Sequence, residues 1–481
     1  MHTIDFLVFL LFTGGIVIIG SLFWRKKGSS DDFTTAGRSL PGWVVGLSIF
    51  STYVSSISYL AYPGSAYDSN WNAFVFSLSI PIASWVAAKW FVPFYRKQTC
   101  VSAYAFLEQR FGRWARWYAS ICYLLTQVAR IGTIMYLLAI PMNVLLGWNI
   151  SMVIICTSLA IIFYSTLGGL RGVIWTEAIQ GVIMIAGAVT CLVILLMSMP
   201  GGAEQSLATA WHEGKFSLGS FDFLDLSTST FWVCLVYGLF TNLQNYGIDQ
   251  NYVQRYHTAR SARSARFSAL FGGWLFIPVS AMFFLIGTAL YSYYAAFPSM
   301  LPEGGTKGDY VFPFFIVNQL PVGFTGLLIA SIFAAGMSTV ATSITSASTI
   351  ILHDFYKCAR PDSTNREELV VLKLAGIAIG ILGIVVSLAM LRVDSILDAW
   401  WKLSSVFSGG MLGLFLLGFM SNHVKNIDAA IGVICGVIVI GYISLHDLLG
   451  LPTNGIHEYL AIVFGTIVIF LVGFLVAKLH K

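Results

Sequence analysis

The sequence predicts an all-α polytopic membrane protein, on three observations. Only 10% of the 481 residues are charged while 57% are hydrophobic, with a mean hydropathy of +0.79; soluble domains carry about 25% charge. Apolar runs of the roughly 20 residues that a helix needs to cross a bilayer recur along the whole chain. Lysine and arginine gather in alternate connections between those runs, as the positive-inside rule demands.

Taken in order, the runs predict thirteen spans: 4–24, 41–62, 72–95, 117–146, 149–167, 172–197, 230–248, 268–293, 324–352, 369–391, 395–420, 426–445 and 456–478. No Lys or Arg precedes the first run, and Arg25-Lys26-Lys27 follows it. That pattern is a first span with its N-terminus outside, not a cleaved signal. Alternation then places Arg38, Arg96, Lys97, Arg110, Arg113, Arg116, Arg171, Arg255, Arg260, Arg263, Arg266, Lys357, Arg360 and Lys481 inside, while the external loops keep Lys215, Lys307 and Arg392 among several carboxylates. The expectation is N-out and C-in in a plasma membrane, a bacterial inner membrane.

Thirteen is an informative number. Without the helix at 4–24 and the pair at 426–478, ten spans remain, in two sets of five at 41–197 and 230–420. An odd set inverts the orientation of its successor, and inverted repeats build transporters with a site at the bilayer midplane. The whole chain, 1–481, then forms one transporter domain.

Two apolar segments are crowded with hydroxyls. Ser48–Tyr62 carries Ser48, Ser51, Thr52, Ser55, Ser56 and Ser58, and Pro63-Gly64 closes it. Ser and Thr offer the backbone alternatives to helical hydrogen bonds, and irregular backbone at membrane depth survives only where it lines a cavity or is buried. A broken helix is expected there. In Ala334–Ser348, Ala335, Ser338, Thr339 and Thr342 share one helical face. Hydroxyls and freed carbonyls together suit a hard monovalent cation; close packing by small residues is the competing explanation.

Arg130 lies 14 residues past Arg116, about 21 Å along a helix. So deep a charge marks a functional site, and its forked guanidinium suits an anionic solute. Glu177, just inside the cytoplasmic boundary, points to a cation exit path or a vestibule wall. Asn242, Gln244 and Asn245 reach toward a cavity, and Asp249-Gln250 read as loop anchors. No HExxH, GxSxG or GxxxxGK[ST] pattern is present in the sequence, so no enzyme is expected, and transport without a nucleotide site runs on an existing gradient. The seven cysteines contain no CxxC pair. No Lys/Arg run argues for nucleic acid, and no obligatory protein partner is evident.

These residues resemble the sodium:solute symporter family. The likeness rests on Gly42-Trp43, PFYRKQTCVSAYAFLEQRFG at 93–112, GGLRGVIWTEAIQG at 168–181, Asp249-Gln250 with VQRY at 253–256, and FAAGMST at 333–339. It implies a LeuT-like fold of two inverted five-helix repeats, spans 2 and 7 broken, working by alternating access. It implies a Na⁺ site from the carbonyls of Ser51, Val54 and Ala335 and the hydroxyls of Ser338 and Thr339. Within the family the chain looks most like the bacterial sialic-acid and sugar branch, whose arginine for the substrate carboxylate matches Arg130. Substrate positions then fall on Tyr53, Ser55, Ser58, Ala73 and Ser77, beside Asn242 and Asn245. Tyr53 puts a bulky ring where the branch has a small hydroxyl residue, and Ala73 and Ser77 stand where it has an aromatic and an amide. A second Na⁺ of that branch would fall on Glu177, Ser338, Ala341 and Thr342. Ala341 has no side-chain oxygen and Glu177 is longer than the expected aspartate, so one Na⁺ per cycle is expected.

The expected function is thus a secondary active Na⁺:solute symporter importing a small polar organic solute, a sugar acid or sugar. A Na⁺-coupled monocarboxylate or other small-anion symporter, and a non-transporting solute sensor, are the alternatives.

Overall fold

The computed structural model describes residues 2–22, 29–98, 100–301, 308–393, 396–446, 452 and 455–479. Arg25, Lys26, Lys27, Lys307 and Lys481 of the charge argument lie outside them. Among the described residues the only β-type pairing is a single bridge between Leu40 and Ala259. The main helices are α1 (Thr3–Leu22), α2 (Gly42–Tyr53), α3 (Ile57–Asp68), α4 (Asn72–Lys97), α5 (Arg113–Leu146), α6 (Ile150–Thr166), α7 (Gly169–Met197), α8 (Phe231–Ile248) and α9 (Gln250–Thr258). They continue as α10 (Ala262–Ala296), α11 (Phe324–Ile350), α12 (Asn365–Ala389), α13 (Ala399–Phe407), α14 (Met411–Met420), α15 (Asn426–Leu445) and α16 (Glu458–Leu479).

Nine described helices are long and apolar enough to cross a membrane, and eleven spans result if each bent pair counts as one. α6 is shorter and α8 more polar, and these two stand where the remaining predicted spans were placed.

The first bent pair is the expected broken helix. α2 ends at Tyr53, Val54 turns extended at φ −75° and ψ 110°, and α3 leaves at 59° to α2, opening with a π-helical turn over Ile57–Ala61. Single π turns inside helices recur at functional sites. The second bent pair, α13 and α14, is broken by 41° at Ser408-Gly409-Gly410, where both glycines have positive φ. Span 11 was expected to be continuous.

Span 7 is also broken, one residue beyond its predicted end. α8 stops at Ile248, Asp249 is extended, and α9 follows with all nine residues buried. Gln250 is the expected loop anchor, holding the backbone of the segment before α5, while Asp249 caps a helix. The Asp249 carboxylate caps α9 by accepting the Asn251 N–H at 2.7 Å, and Gln250 accepts the Ala103 N–H at 2.8 Å and donates to the Val101 carbonyl.

Close helix contacts position the broken segment. A Cβ on Gly287 would fall 2.1 Å from the Pro63 carbonyl oxygen, so α10 and α3 touch backbone to backbone. α6 and α7 meet in a kink at Gly169, whose φ of 58° a side chain would strain. α1 lies along α7 and α11, and its buried Asp5 carboxylate accepts the amides of Gly323 and Gly326 at 2.7 and 3.0 Å, capping the start of α11. An anion there also faces the positive end of the helix dipole.

Candidate cation and solute site

The break in α2 meets the hydroxyl face of α11. In a continuous helix the Ser51 carbonyl would accept the amide of Ser55; here it accepts the Ser338 hydroxyl at 3.2 Å. Ser338 Oγ also lies 2.9 Å from the Ala335 carbonyl oxygen, and Thr339 Oγ1 lies 3.1 Å from it. Four of the five oxygens expected around Na⁺ thus sit within hydrogen-bond reach of a neighbour in the set. Val54, the fifth, is fully buried directly after the helix end. Neutral oxygens from two elements, converging without a nearby carboxylate in the set, fit a weakly held monovalent cation that must also leave.

Beside this cluster lies a buried charge network that the sequence did not reveal. Ser51 Oγ donates to the Glu177 backbone carbonyl at 2.7 Å, linking the two. The Glu177 side chain accepts from Ser48, from Thr342 and from Arg255, whose Nη2 lies 2.8 and 2.7 Å from its two oxygens. Arg255 also donates to Ser48 Oγ at 2.7 Å and Thr342 Oγ1 at 2.6 Å. Neither charged side chain is exposed at all. Arg255 is therefore not a cytoplasmic surface charge, as the topology argument took it to be. Its signal was present in the VQRY motif and in a nine-residue helix too polar to span yet wholly buried. Glu177 and Thr342 do come together, with a guanidinium between them.

On the other side of the break is a small cavity of about 50 Å³, lined by Tyr53, Ser55, Ser58, Arg130, Asn245, Asp249 and Trp401, among others. Arg130 is half-buried and donates from Nη2 to the Thr52 carbonyl at 3.1 Å, with its guanidinium over Trp400. No carboxylate lies within ion-pair distance of it among the described residues, but Asp249 lines the same cavity and attracts it across that space. The Tyr53 ring stacks on Tyr246 and packs edge-on to Phe276, with centroids 6.0 and 4.6 Å away, and its hydroxyl donates to the Asn242 side chain. Asn242 in turn donates to Ser79 at 2.9 Å, so it braces Tyr53 and does not line the cavity.

Ala73 and Ser77 are not brought to this cavity. Ala73 lines a second, larger space of about 680 Å³, bounded also by Ser65, Asp68, Asn72 and Asp309 at the far end of α3. Ser77 is buried against Ser280, 2.8 Å away. Trp401 borders both spaces and stacks on Phe76 at 5.3 Å, a single aromatic layer between vestibule and cavity. Pockets that hold organic ligands measure about 300–1,000 Å³, so the inner cavity admits a solute only after this layer moves.

Residues 33–436 match the model of the sodium:solute symporter family. The chain belongs to that family. It is 30% identical to the sodium/sialic acid symporter NanT of Aliivibrio fischeri, over 100% of this chain and 94% of the relative. Identity to the sodium/sialic acid symporter SiaT of Proteus mirabilis is 32%, over 91% and 88%. Sodium-coupled monocarboxylate transporter 2 of Mus musculus is 28% identical, over 92% and 72%. Among solved structures, a substrate-bound, outward-open Na⁺-coupled sialic acid symporter superposes with a TM-score of 0.91 at 29% identity, over 99% of this chain and 98% of that one. The transporter Mhp1, at 12% identity and a TM-score of 0.59, shares the fold. The symporter is thus an all-α, LeuT-like, multi-pass membrane protein that couples solute movement to Na⁺; it is a transporter and not an enzyme.

Proposed function

We propose that this symporter imports a carboxylated, hydroxylated solute, sialic acid or a smaller sugar acid, together with one Na⁺. The observation that carries the reading is Arg130, a guanidinium that lines the cavity together with Ser55, Ser58 and Asp249 and has no carboxylate within ion-pair distance among the described residues. A solute carboxylate pairs with Arg130, and Ser55, Ser58 and Asn245 meet the solute hydroxyls. Tyr53 narrows the cavity, which favours a solute smaller than the full nine-carbon sugar acid. The same ring, with Trp400 and Trp401 nearby, supports the second reading, a monocarboxylate.

Sodium binds the carbonyls of Ser51, Val54 and Ala335 and the hydroxyls of Ser338 and Thr339, joining α2 to α11. The solute site begins one turn further on, at Ser55. Holding α2 against α11 pre-organises that wall, so each ligand tightens the other by the same factor. Tyr53 stacked on Tyr246 closes the inner route, and Trp401 the outer one. One Na⁺ per cycle follows from Arg255, whose tethered charge satisfies Glu177 and Thr342, and from Ala341, which offers no side-chain oxygen. The two repeats, 41–197 and 230–420, carry one broken helix each near their starts, and rock about this site.

Uptake into proteoliposomes tests the reading. A sugar acid enters only under an inward Na⁺ gradient, and uptake that persists without the gradient refutes coupling. Ser338→Ala removes one of five ligands and raises the Na⁺ needed for half-maximal uptake by about tenfold or more, the equivalent of a charged contact of about 1.5–3 kcal/mol. An unchanged Na⁺ dependence refutes the site.

The N-terminus lies outside and the C-terminus in the cytoplasm of a bacterial inner membrane. The shared ends of α1 and α11, tied through Asp5, support the alternation on which this rests. A green fluorescent protein fused after Lys481 fluoresces in this orientation and stays dark in the opposite one.

A further inference from the structure

We propose that the lipid-facing start of α10 is a binding site for an anionic phospholipid of the cytoplasmic leaflet. Arg260, Arg263 and Arg266 lie on the approach to α10 and in its first turns, all exposed. None makes an ion pair or a side-chain hydrogen bond among the described residues. Other arginines on that side are consumed: Arg116 by Asp354, Arg96 by the carbonyls that end α9.

Directly beyond the arginines the same helix face turns apolar while staying exposed. Arg263, Phe267 and Trp274 are spaced by four and seven residues, which places them within about 40° of one another around the helix. Phe267 is 50% and Trp274 61% exposed. A charged head above an apolar stripe is the complement of a phospholipid, with its phosphate on the guanidiniums and an acyl chain along the rings.

A second cation lies at the same depth on the neighbouring helix. Lys89 of α4 sits over the rings of Trp85 and Trp90, 4.8 and 4.6 Å from their centroids. A Cβ on Gly273 would meet Ser84, and counting at 1.5 Å per residue from that contact puts Lys89 about 3 Å outward of Arg266. An ammonium flanked by tryptophans at the interface suits a headgroup.

The site adjoins the sodium half of the broken helix. A Cβ on Gly42 would fall 2.6 Å from Ser264 Oγ and 2.9 Å from its carbonyl oxygen, so the first turns of α2 and α10 touch. A lipid bound at α10 therefore lies beside the first turn of α2, whose far end carries Ser51 and Val54.

The assignment rests on the proposed orientation, and one experiment separates the two. The intact symporter, purified in mild detergent, is examined for retained lipid by native mass spectrometry, beside R263Q/R266Q, K89Q and a control, R360Q/R366Q, which removes two other cytoplasmic arginines. The wild type and the control retain phosphatidylglycerol or cardiolipin. R263Q/R266Q retains at least fivefold less, and K89Q is intermediate. Equal retention by all four proteins, or equal loss in the control, overturns the site. A thermal midpoint that rises with phosphatidylglycerol in the wild type but not in R263Q/R266Q reports the same binding in folded protein; a parallel rise in both overturns it. A dark C-terminal fluorescent fusion refutes the orientation and the leaflet, while the difference in lipid retention stands by itself.

Discussion

Arg130→Ala abolishes uptake of a carboxylated solute, with kcat/KM falling at least about 30-fold. Truncating one partner of a desolvated charge pair costs about 2–5 kcal/mol, and each 1.4 kcal/mol is tenfold. The guanidinium is held by the Thr52 carbonyl at 3.1 Å, on the helix that supplies the proposed Na⁺ ligands. Loss of the side chain therefore also raises the Na⁺ requirement, modestly. Arg130→Lys keeps the charge but not the fork, and recovers only part of the uptake. Uptake kinetics of the three proteins at saturating Na⁺ decide the matter. Unaltered kcat/KM in Arg130→Ala means that the solute is neutral, and the carboxylate reading falls.

The second large effect is on stability. Removing one partner of a buried ion pair leaves an uncompensated charge and costs about 3–5 kcal/mol, while replacing both by apolar residues is often nearly neutral. Arg255 and Glu177 have no exposed side-chain surface. Arg255→Leu and Glu177→Leu are each expected to lower the thermal midpoint sharply, and the double variant to recover much of the loss. A double variant as unstable as the sum of the singles shows that the pair does not act as a unit. The wild type answers the question of stoichiometry: its Na⁺ dependence has a Hill coefficient near 1. A coefficient near 2 shows that a second Na⁺ binds despite Arg255.

The parts legible in the sequence are those where hydropathy and local chemistry agree. The hydroxyls of Ser48–Ser58 inside an apolar run marked a break that is present at Val54. The periodic small residues of α11 marked a buried face, and nearly the whole helix is buried. α9 was not legible, because a helix whose polar side chains bond to other buried segments, such as the Gln254 amide nitrogen on the Thr34 carbonyl and Arg255 on Glu177, has the composition of a loop. The bend at Gly409-Gly410 had a signal that a continuous apolar run outweighed. Ala73 and Ser77 were carried over by resemblance, which preserves position along a helix but not the cavity that the helix faces. Tyr53, where departure from relatives was expected, fills space between the cavity and Tyr246.

The cap that Asp5 places on α11 has a consequence for how the molecule is made. Donor and acceptor are 318 residues apart in the chain. At a synthesis rate of about 5–20 residues per second, the first helix is in the membrane for roughly 15–65 s before its partner emerges. Through that interval its carboxylate is without those two amides. The helix that carries the proposed sodium hydroxyls is thus the one that fastens the beginning of the chain to its middle, and closure of the bundle is a late event in biogenesis.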